Sequence, residues 1–555
     1  MRAPEPSDDL LNQSPPFEDV NLFTSDRALR EAVKREGGGW AEADLKAFGA
    51  TAGSRDMLEQ ARLANENPPK LRAFDPRGRR LDLVEFHPAY HRLMGVSTAE
   101  GLHCSVWEHL RDGSEPKPGR MVARAAAFYM AAQMEAGHCC PVTMTNAAVP
   151  VIRQQPELAK AWLPRILMRD YDPTFLPADA KRAVTLGMGM TERQGGSDVR
   201  TNLTSAMPVD GGGPGGEYVV TGHKWFMSAP MSDAFLVLAQ APGGLSCFLM
   251  PRFLPDGSKN PILLQRLKDK CGNRSNASSE VEFRDTHAWL IGEEGRGIAT
   301  IIEMVTFTRL DCAISSAGLM RSALAQALHH CSYRVVFQKK LIDQPLMRQV
   351  LADMALDLEA ALALVFRLAR AFERAEANEA EAAFARIMTP AVRYWVCKAL
   401  PGFAYEAMEC LGGNGYVEES PMARLYRESP LNAIWEGSGN IMCLDILRVA
   451  TRSPEALAAL LDEVHDAALG DARLMAAVAK VKDRFASPSG LEADLRYVVE
   501  CLVYAVAAAQ LRRHAPPAVA DAFIASRLVG GFRRTYGMFR GADVGAILAR
   551  AMPET

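Results

Sequence analysis

The chain has 555 residues, of which 48% are hydrophobic and 23% charged, and its formal net charge is −3. This composition excludes a disordered or fibrous protein and allows a sizeable core, which length alone divides among about three or four domains. Because the surface as a whole is not basic, a polyanion would have to bind at a local basic patch.

Three sequence features bear on the cellular compartment. The 11 cysteines are scattered without a C-x-x-C pair, so neither a zinc site nor a disulfide framework is indicated. Residues 1–19 are rich in Pro, Asp, Glu and Ser and lack the basic and apolar pattern of an export signal. The apolar run 501–509 is much shorter than the roughly 20 residues of a membrane helix, so we expect it to form a buried helix. We therefore predict a cytoplasmic protein without membrane contact.

Helix signals dominate residues 1–180, which are predicted to form an N-terminal helical domain. Ser25-Asp26 has the residue types of an N-cap, and it predicts a helix over 27–35. Ala, Leu and Met at helical spacing, without proline, predict a second helix over 42–64. Further helices are expected at 121–137 and 141–153.

The pattern changes at Ala183, where short β-branched or aromatic runs separated by Gly, Pro, Asn and Asp begin. These runs predict a compact antiparallel β domain over 181–295. Its clearest strand candidates are 218–220, 235–238, 247–250 and 281–283.

After Gly297 the helical period returns, and residues 296–450 are predicted to form an up-and-down helical bundle. Its long helices are expected at 298–331, 345–376 and 380–411. Residues 451–555 add a C-terminal helical domain. The predicted fold is therefore mainly α, with a central antiparallel β domain and a helical extension.

Charge is uneven within the C-terminal domain. Residues 453–500 lean acidic, whereas residues 510–550 contain seven arginines against only Asp521 and Asp543. The basic stretch suits either a stripe facing phosphates or a solvated helix surface with intramolecular ion pairs, and the residues alone do not separate these two interpretations.

A glycine-rich loop over 187–198 follows a predicted strand. Glycines let backbone N–H groups approach phosphate oxygens, and Thr191 and Ser197 add hydroxyl donors, so the loop suits an anionic cofactor. An ordinary polar turn is the alternative, because such loops are common. The candidate cofactor residues of this loop are Met188, Gly189, Met190, Thr191, Gly195, Gly196 and Ser197.

Three further motifs follow in order. Residues 222–228 place aromatic rings beside the Ser228 hydroxyl, which suits a flat heterocycle. Residues 410–416 end a predicted helix with a glycine turn whose amides could hold a nucleotide phosphate. Residues 434–440 set the Glu436 carboxylate between an indole and a glycine. Each motif alone has an ordinary structural explanation, but the ordered set is not expected to arise by accident.

The set resembles the acyl-CoA dehydrogenase family over most of the chain. That resemblance implies a helical domain, a β domain, a helical bundle, and FAD bound between the subunits of a homotetramer. It implies that Thr191 bonds the flavin edge, that Ser197 binds the pyrophosphate and that Ser228 is a second flavin contact. Phe226 falls where many members place a flavin-stacking Trp, which implies an altered ring environment. The other implied FAD contacts are Met227, Arg334, Phe337, Gly412, Gly413, Ile434, Trp435, Gly437, Ser438 and Asn440.

The same resemblance assigns the catalytic base to Glu436. Oxidation of an acyl-CoA thioester needs a base within hydrogen-bond reach of the α-proton, and desolvation beside Trp435 would raise the pKa of a carboxyl toward working pH. One branch of the family places its base just before an Arg-Leu pair on another helix. Here that position is Thr308, which cannot act as the base.

In finer detail, residues 187–202, 228–234, 267–278 and 434–445 look like the AidB subfamily, which belongs to the adaptive response to DNA alkylation. That resemblance implies sequence-independent binding of double-stranded DNA by the C-terminal helices, with residual acyl-CoA dehydrogenase chemistry. A metabolic acyl-CoA dehydrogenase that oxidises a short or branched thioester without binding DNA is the alternative, and a DNA-binding protein in which FAD only supports the fold is a third. The candidate DNA contacts are Arg448, Arg512, Arg513, Arg533 and Arg534.

Overall fold

A computed structural model of the chain describes residues 12–487, 489–529 and 543–554. Its N-terminal domain is helical, as predicted, but residues 70–85 form a two-stranded hairpin that the helical pattern did not predict. The elements are α1 (Arg27–Arg35), α2 (Glu42–Ala52), α3 (Arg55–Glu66), β1 (Lys70–Phe74), β2 (Arg80–Glu85), α4 (Pro88–Ala99), α5 (His109–Asp112), α6 (Arg120–Met134), α7 (Cys139–Ile152) and α8 (Pro156–Ile166).

Local capping explains two boundaries in this domain. The Asp26 carboxylate accepts the Leu29 N–H at 3.0 Å, which confirms the predicted start of α1. The single helix expected over 42–64 is wrong, because it breaks at Gly53, where a Cβ would lie 1.8 Å from the Val20 carbonyl oxygen. Ser54 then caps α3 by accepting the Met57 N–H.

The β domain is one seven-stranded sheet whose pairings are mostly antiparallel. The long β5 and β9 pair with each other, whereas β3 and β4 run parallel to β6, so the sheet is not purely antiparallel. Its inner face is filled by fully buried Tyr218, Phe235, Phe248 and Phe283. The strands are β3 (Leu186–Gly189), β4 (Ser205–Pro208), β5 (Glu217–Ser228), β6 (Ala234–Ala241), β7 (Gly244–Pro251), β8 (Ile262–Leu267) and β9 (Ser278–Ile291).

The helical bundle contains the three predicted long helices, here confirmed as α9 (Gly297–Tyr333), α10 (Pro345–Arg374) and α11 (Glu379–Cys410). Short elements connect them or follow them and bring the catalytic candidate to the bundle. These are β10 (Val335–Val336), β11 (Lys339–Lys340), α12 (Gly413–Tyr416), α13 (Pro421–Glu428) and α14 (Gly439–Arg452).

The C-terminal domain is helical and packs on α10, α11 and α14. The apolar run 501–509 lies inside a helix and is largely buried, as expected. Within the described part of the chain, none of the helices has the length and hydropathy required to cross a bilayer. The helices are α15 (Pro454–Ala468), α16 (Ala472–Ala486), α17 (Leu491–His514), α18 (Pro517–Arg527) and α19 (Val544–Ala551).

Candidate active site

The sheet brings the first two sequence motifs together. Met188 pairs with Ser228 and Gly189 pairs with Met227, so the start of the glycine-rich loop lies beside the end of β5. Farther along, the Trp225 N–H donates to the Thr191 carbonyl at 2.8 Å. Two segments about forty residues apart therefore form one continuous edge, as a shared cofactor contact requires.

A buried ion pair that the sequence did not reveal fixes this edge. The Lys224 ammonium lies 2.8 Å from the Glu192 carboxylate, and both side chains are fully buried. Burial alone would raise the pKa of Glu192, but the Lys224 charge and hydrogen bonds from Leu203 and Thr204 outweigh it and hold that pKa at about 2. A charged residue inside an alternating strand, such as Lys224 in β5, is the signal that could have predicted it.

The loop offers groups that fit a flavin nucleotide. Within the described residues the hydroxyls of Thr191 and Ser197 form no hydrogen bond, so both remain available to a ligand. A Cβ at Gly196 would lie 2.3 Å from the Thr191 hydroxyl oxygen. Any residue other than glycine at position 196 would therefore clash with that hydroxyl. The buried Oδ1 of Asn276, in the loop between β8 and β9, is also without a partner. Two free donors and one free acceptor match the acceptors and N–H groups of a flavin.

The aromatic pair on β5 is exposed beside cationic side chains. Phe226 is 49% exposed, and the Lys268 ammonium lies 4.6 Å from its ring centroid and 3.6 Å from that of Trp225. Met227 points the other way and is fully buried. Ser228 ends β5 and is half-buried. Phe226 and Ser228 are therefore presented beside the glycine-rich loop, whereas Met227 can offer a ligand only its backbone.

Glu436 lies in the loop between α13 and α14, in a left-handed conformation with φ of +57°. Its carboxylate accepts the Thr308 hydroxyl at 2.9 Å, and its carbonyl accepts Arg309 Nε at 3.1 Å. Thr308 thus occupies the alternative base position and donates a hydrogen bond to the Glu436 carboxylate. Burial raises the pKa of Glu436, while the Thr308 hydrogen bond and the charges of Arg393 and Arg309 oppose that rise.

Arg393 of α11 organises the whole loop and was not predicted. Its buried guanidinium donates to the carbonyls of Asn432, Trp435 and Gly437. The Trp435 indole in turn donates to the Asn432 side chain at 3.0 Å. An arginine within the apolar stretch Ile387–Cys397 was the signal, since a buried charge in a core helix needs partners.

The predicted contacts to a second FAD lie far from this loop. Arg334 follows α9, 26 residues beyond Thr308, which places it about 39 Å away along the helix. Phe337, at the tip of the β10–β11 hairpin, is 90% exposed. Gly412 and Gly413 follow α11 beside a cavity of about 1200 Å³, which Leu411, Asn414 and His330 help to line. One subunit therefore does not bring these residues to the Glu436 loop.

The remaining flavin candidates flank Glu436. Ile434 is exposed, Trp435 and Gly437 are half-buried, and Ser438 precedes α14. Asn440 is already engaged, because its side-chain oxygen accepts Arg496 Nε of α17 at 2.8 Å. The C-terminal domain therefore contacts the first turn of α14, directly after the Glu436 loop.

Three of the five candidate DNA contacts, Arg448, Arg512 and Arg513, lie within the described residues. Arg448 is exposed and pairs with Asp445 at 2.5 Å. Arg512 bonds the Leu469 carbonyl at 3.0 Å, and Arg513 bonds the Glu463 carbonyl at 2.8 Å, so both interact within their own domain. Arg533 and Arg534 lie outside the described residues.

Comparison with known proteins agrees with this geometry. Residues 12–173 match the model of the adaptive response protein AidB N-terminal domain, residues 187–286 the acyl-CoA dehydrogenase middle domain, and residues 295–451 the acyl-CoA dehydrogenase C-terminal domain. The chain is 48% identical to AidB of Escherichia coli (strain K12) over 93% of both chains. It is 30% identical to acyl-CoA dehydrogenase family member 11 of Caenorhabditis elegans over 78% of this chain and 70% of the relative.

Solved structures share the architecture. Caenorhabditis elegans ACDH-11 in complex with C11-CoA superposes with a TM-score of 0.85 and 26% identity, covering 94% of this chain and 93% of that chain. An acyl-CoA dehydrogenase from Bacillus anthracis complexed with FAD has a TM-score of 0.62 and 18% identity, covering 84% of this chain and 79% of that chain, which shows a common fold.

These matches, together with helical domains on either side of a central β domain, define a flavoprotein of the acyl-CoA dehydrogenase class. The chain belongs to the acyl-CoA dehydrogenase family and, within it, to the group that contains AidB. FAD is accordingly its cofactor.

Proposed function

We propose that the chain is an FAD-dependent oxidoreductase whose Glu436 removes the α-proton of an acyl-CoA thioester, and that it also binds double-stranded DNA in the response to alkylation damage. The observation that carries the catalytic part is the Glu436 loop. Three side chains from two helices, Thr308, Arg309 and Arg393, converge on it. A loop held this firmly around a raised-pKa carboxylate suits a general base.

Different residues of the chain have separate roles in that reaction. Glu436 takes the proton, and Thr308 and the two arginines hold its carboxylate and backbone in place. Thr191, Ser197 and Ser228 would hold FAD, which supplies the acceptor for two electrons when bound. As the α-proton goes to Glu436, the β-carbon would lose one hydrogen together with its two electrons to that acceptor, and a double bond would form between the α- and β-carbons.

Assembly as a homotetramer is part of the proposal. Phe337 is 90% exposed and lies on a segment that the family resemblance assigns to a neighbour's FAD, and Tyr416, which is 80% exposed, directly follows the second such segment. Exposed apolar side chains of this size mark protein interfaces. Because Arg334 lies about 39 Å from Thr308 along α9, these segments would bind the FAD of another subunit. Sedimentation velocity of the holoprotein tests the assembly.

DNA binding rests on the match to AidB and on Arg448, an exposed arginine at the base of the C-terminal domain. The test is fluorescence anisotropy of a short labelled duplex with the holoprotein over a series of salt concentrations. Each phosphate contact contributes a slope of about −0.9 in log affinity against log salt, so we expect a steep salt dependence that does not change with sequence. This activity would place the protein in the cytoplasm with the chromosome.

The second candidate function is oxidation of a short or branched acyl-CoA without DNA binding. One observation favours it. ACDH-11, whose structure contains C11-CoA, covers 94% of this chain, so the C-terminal helices also occur in a relative that binds acyl-CoA. No duplex binding at low salt, together with flavin bleaching by isovaleryl-CoA, would select this function. Duplex binding with an unresponsive flavin would select DNA binding alone.

A further inference from the structure

α14 connects the Glu436 loop to the surface at which Arg448 lies. It begins at Gly439, three residues after Glu436, and ends at Arg452, where the C-terminal domain starts. Its first turn is fixed from two sides. Tyr394 and Lys398 of α11 lie so close to Gly439 that a Cβ there would be 3.3 Å from both, and Arg496 of α17 holds Asn440. Because the start of α14 is held in place, a displacement of side chains in the middle of the helix should not be relieved by a shift of its first turn.

Asp445, in the middle of α14, is shared between two arginines. Its Oδ2 lies 3.0 Å from Arg309 Nη1, and its Oδ1 lies 2.5 Å from Arg448 Nη1. Arg309 and Asp445 are mostly buried, whereas the Arg448 side chain is 57% exposed. Arg309 also donates to the Glu436 carbonyl at 3.1 Å. One ion-pair network therefore runs from solvent to the backbone of the catalytic carboxylate.

We propose that Asp445 is a positioning residue that couples a phosphate anion bound at Arg448 to the Glu436 loop. An anion that draws Arg448 outward leaves the Asp445 carboxylate to Arg309 alone. The Arg309–Asp445 pair then tightens, and the bond from Arg309 to the Glu436 carbonyl changes with it. Because Glu436 holds a left-handed φ of +57°, its carboxylate direction depends on that backbone support. This proposal rests on the proposed function, since it places FAD beside the Glu436 loop.

The coupling is reciprocal by thermodynamic necessity. If an anion at Arg448 alters the Glu436 loop, then a change in that loop must alter the affinity for the anion by the same factor. Typical couplings between sites change affinities about fivefold or more, which is large enough to measure.

The test titrates the holoprotein with inorganic pyrophosphate and, separately, with a short DNA duplex, and records the flavin absorption difference spectrum. We expect a spectral change in the natural protein that falls about fivefold or more in Arg448→Gln and Asp445→Asn. Asp445→Glu, which keeps the charge, should restore much of it. Arg452→Gln is the matched control, because Arg452 is exposed one turn farther along α14 and makes no ion pair within the described residues. It should respond like the natural protein.

The two ligands separate this proposal from the DNA proposal. A pyrophosphate response that needs Arg448 and Asp445, without duplex binding, keeps the coupling and removes the DNA function. If the duplex binds and the flavin spectrum of Asp445→Asn changes as much as that of the natural protein, the coupling is overturned. The proposal of DNA binding then remains. Equal losses in Arg448→Gln and Arg452→Gln also overturn it, because the effect would then be a general one of surface charge.

Discussion

At the scale of single residues, two opposing effects set the pKa of the Glu436 carboxyl. Burial raises its pKa, and the Thr308 hydroxyl, 2.9 Å away, counteracts burial by donating to the charged form. A base must be deprotonated to act, so turnover should fall as the pH falls through this raised pKa. The position that a branch of the family uses for its base here donates a hydrogen bond to Glu436, the base that we propose.

Thr308→Val should therefore move the acid limb of the kcat/KM profile to higher pH. Removal of a hydrogen-bond donor destabilises the charged carboxylate and raises the pKa of Glu436. Because about 1.4 kcal/mol corresponds to one pKa unit, we expect the limb to shift by about one pH unit. The measurement is the pH dependence of flavin reduction by an acyl-CoA thioester in single-turnover mixing. Thr308→Ser keeps the hydroxyl and should leave the limb in place. An unshifted limb in Thr308→Val would contradict the assigned hydrogen bond.

Ser197→Ala tests the glycine-rich loop at the same scale. The Ser197 hydroxyl has no partner within the described residues, so its loss should affect bound FAD and leave the fold intact. A hydrogen bond to a charged group is worth roughly 1.5–3 kcal/mol, which predicts at least about tenfold weaker FAD retention. Flavin content after dialysis measures it. Ser205→Ala in β4, whose hydroxyl points to the Thr221 carbonyl, is the control and should retain FAD. Equal flavin content in both variants would argue against the loop as a pyrophosphate site.

At the scale of elements, sequence patterns that act over a few residues predicted the structure well. The three long bundle helices and the start of α1 follow from local periodicity and capping, and all were found within a few residues of the predicted bounds. The close packing of Gly53 against the Val20 carbonyl, next to the end of α2, was missed because the two residues lie about thirty positions apart in the chain. The pairs Lys224–Glu192 and Arg393–Gly437 were missed for the same reason. The motif predicts Glu436 as the base, which stays a prediction, whereas the contacts of Arg393 with its loop were not predicted.

The loop between α13 and α14 should depend on Arg393 as one unit. Arg393→Met removes the donors to three backbone carbonyls, and a misplacement of the base by about 1 Å can reduce turnover by about 100-fold. We expect kcat to fall by that order while KM changes little, because the loop positions the base and not the CoA. Arg393→Lys should recover only part of the loss, since an ammonium lacks the fork geometry of a guanidinium. Unchanged flavin content would show that the fold persists, and full kcat in Arg393→Met would refute the positioning role.

At the scale of the whole molecule, the four described arginines of residues 510–550 all pair with acidic side chains, so the basic composition did not predict their partners. Arg527 and Arg550 are buried and bind acidic side chains of α10, which lie about 170 to 190 residues earlier in the chain. Arg512 and Arg513 contact the acidic first half of their own domain. Composition gives the number of charges but not which of them form ion pairs. The sequence alone therefore could not distinguish a stripe facing phosphates from a helix surface with intramolecular ion pairs. In the structure, part of this basic stretch attaches the C-terminal domain to the bundle.

We expect the ion pairs of Arg527 to make the C-terminal domain unfold together with the helical bundle. The Arg527 guanidinium lies 2.6 Å from Asp353 and 2.7 Å from Asp357, and its side chain is almost fully buried. Breaking a buried pair by removing one partner costs about 3–5 kcal/mol, because a buried charge loses its compensation. Differential scanning calorimetry of the Arg527→Leu holoprotein should therefore show an additional early transition, which limited proteolysis would assign to residues beyond α14. Arg512→Gln removes a partly exposed pair worth about 0–1 kcal/mol and should melt like the natural protein. A single unshifted transition in Arg527→Leu would mean that apolar packing of α17 and α18, and not the ion pairs, holds the domain in place.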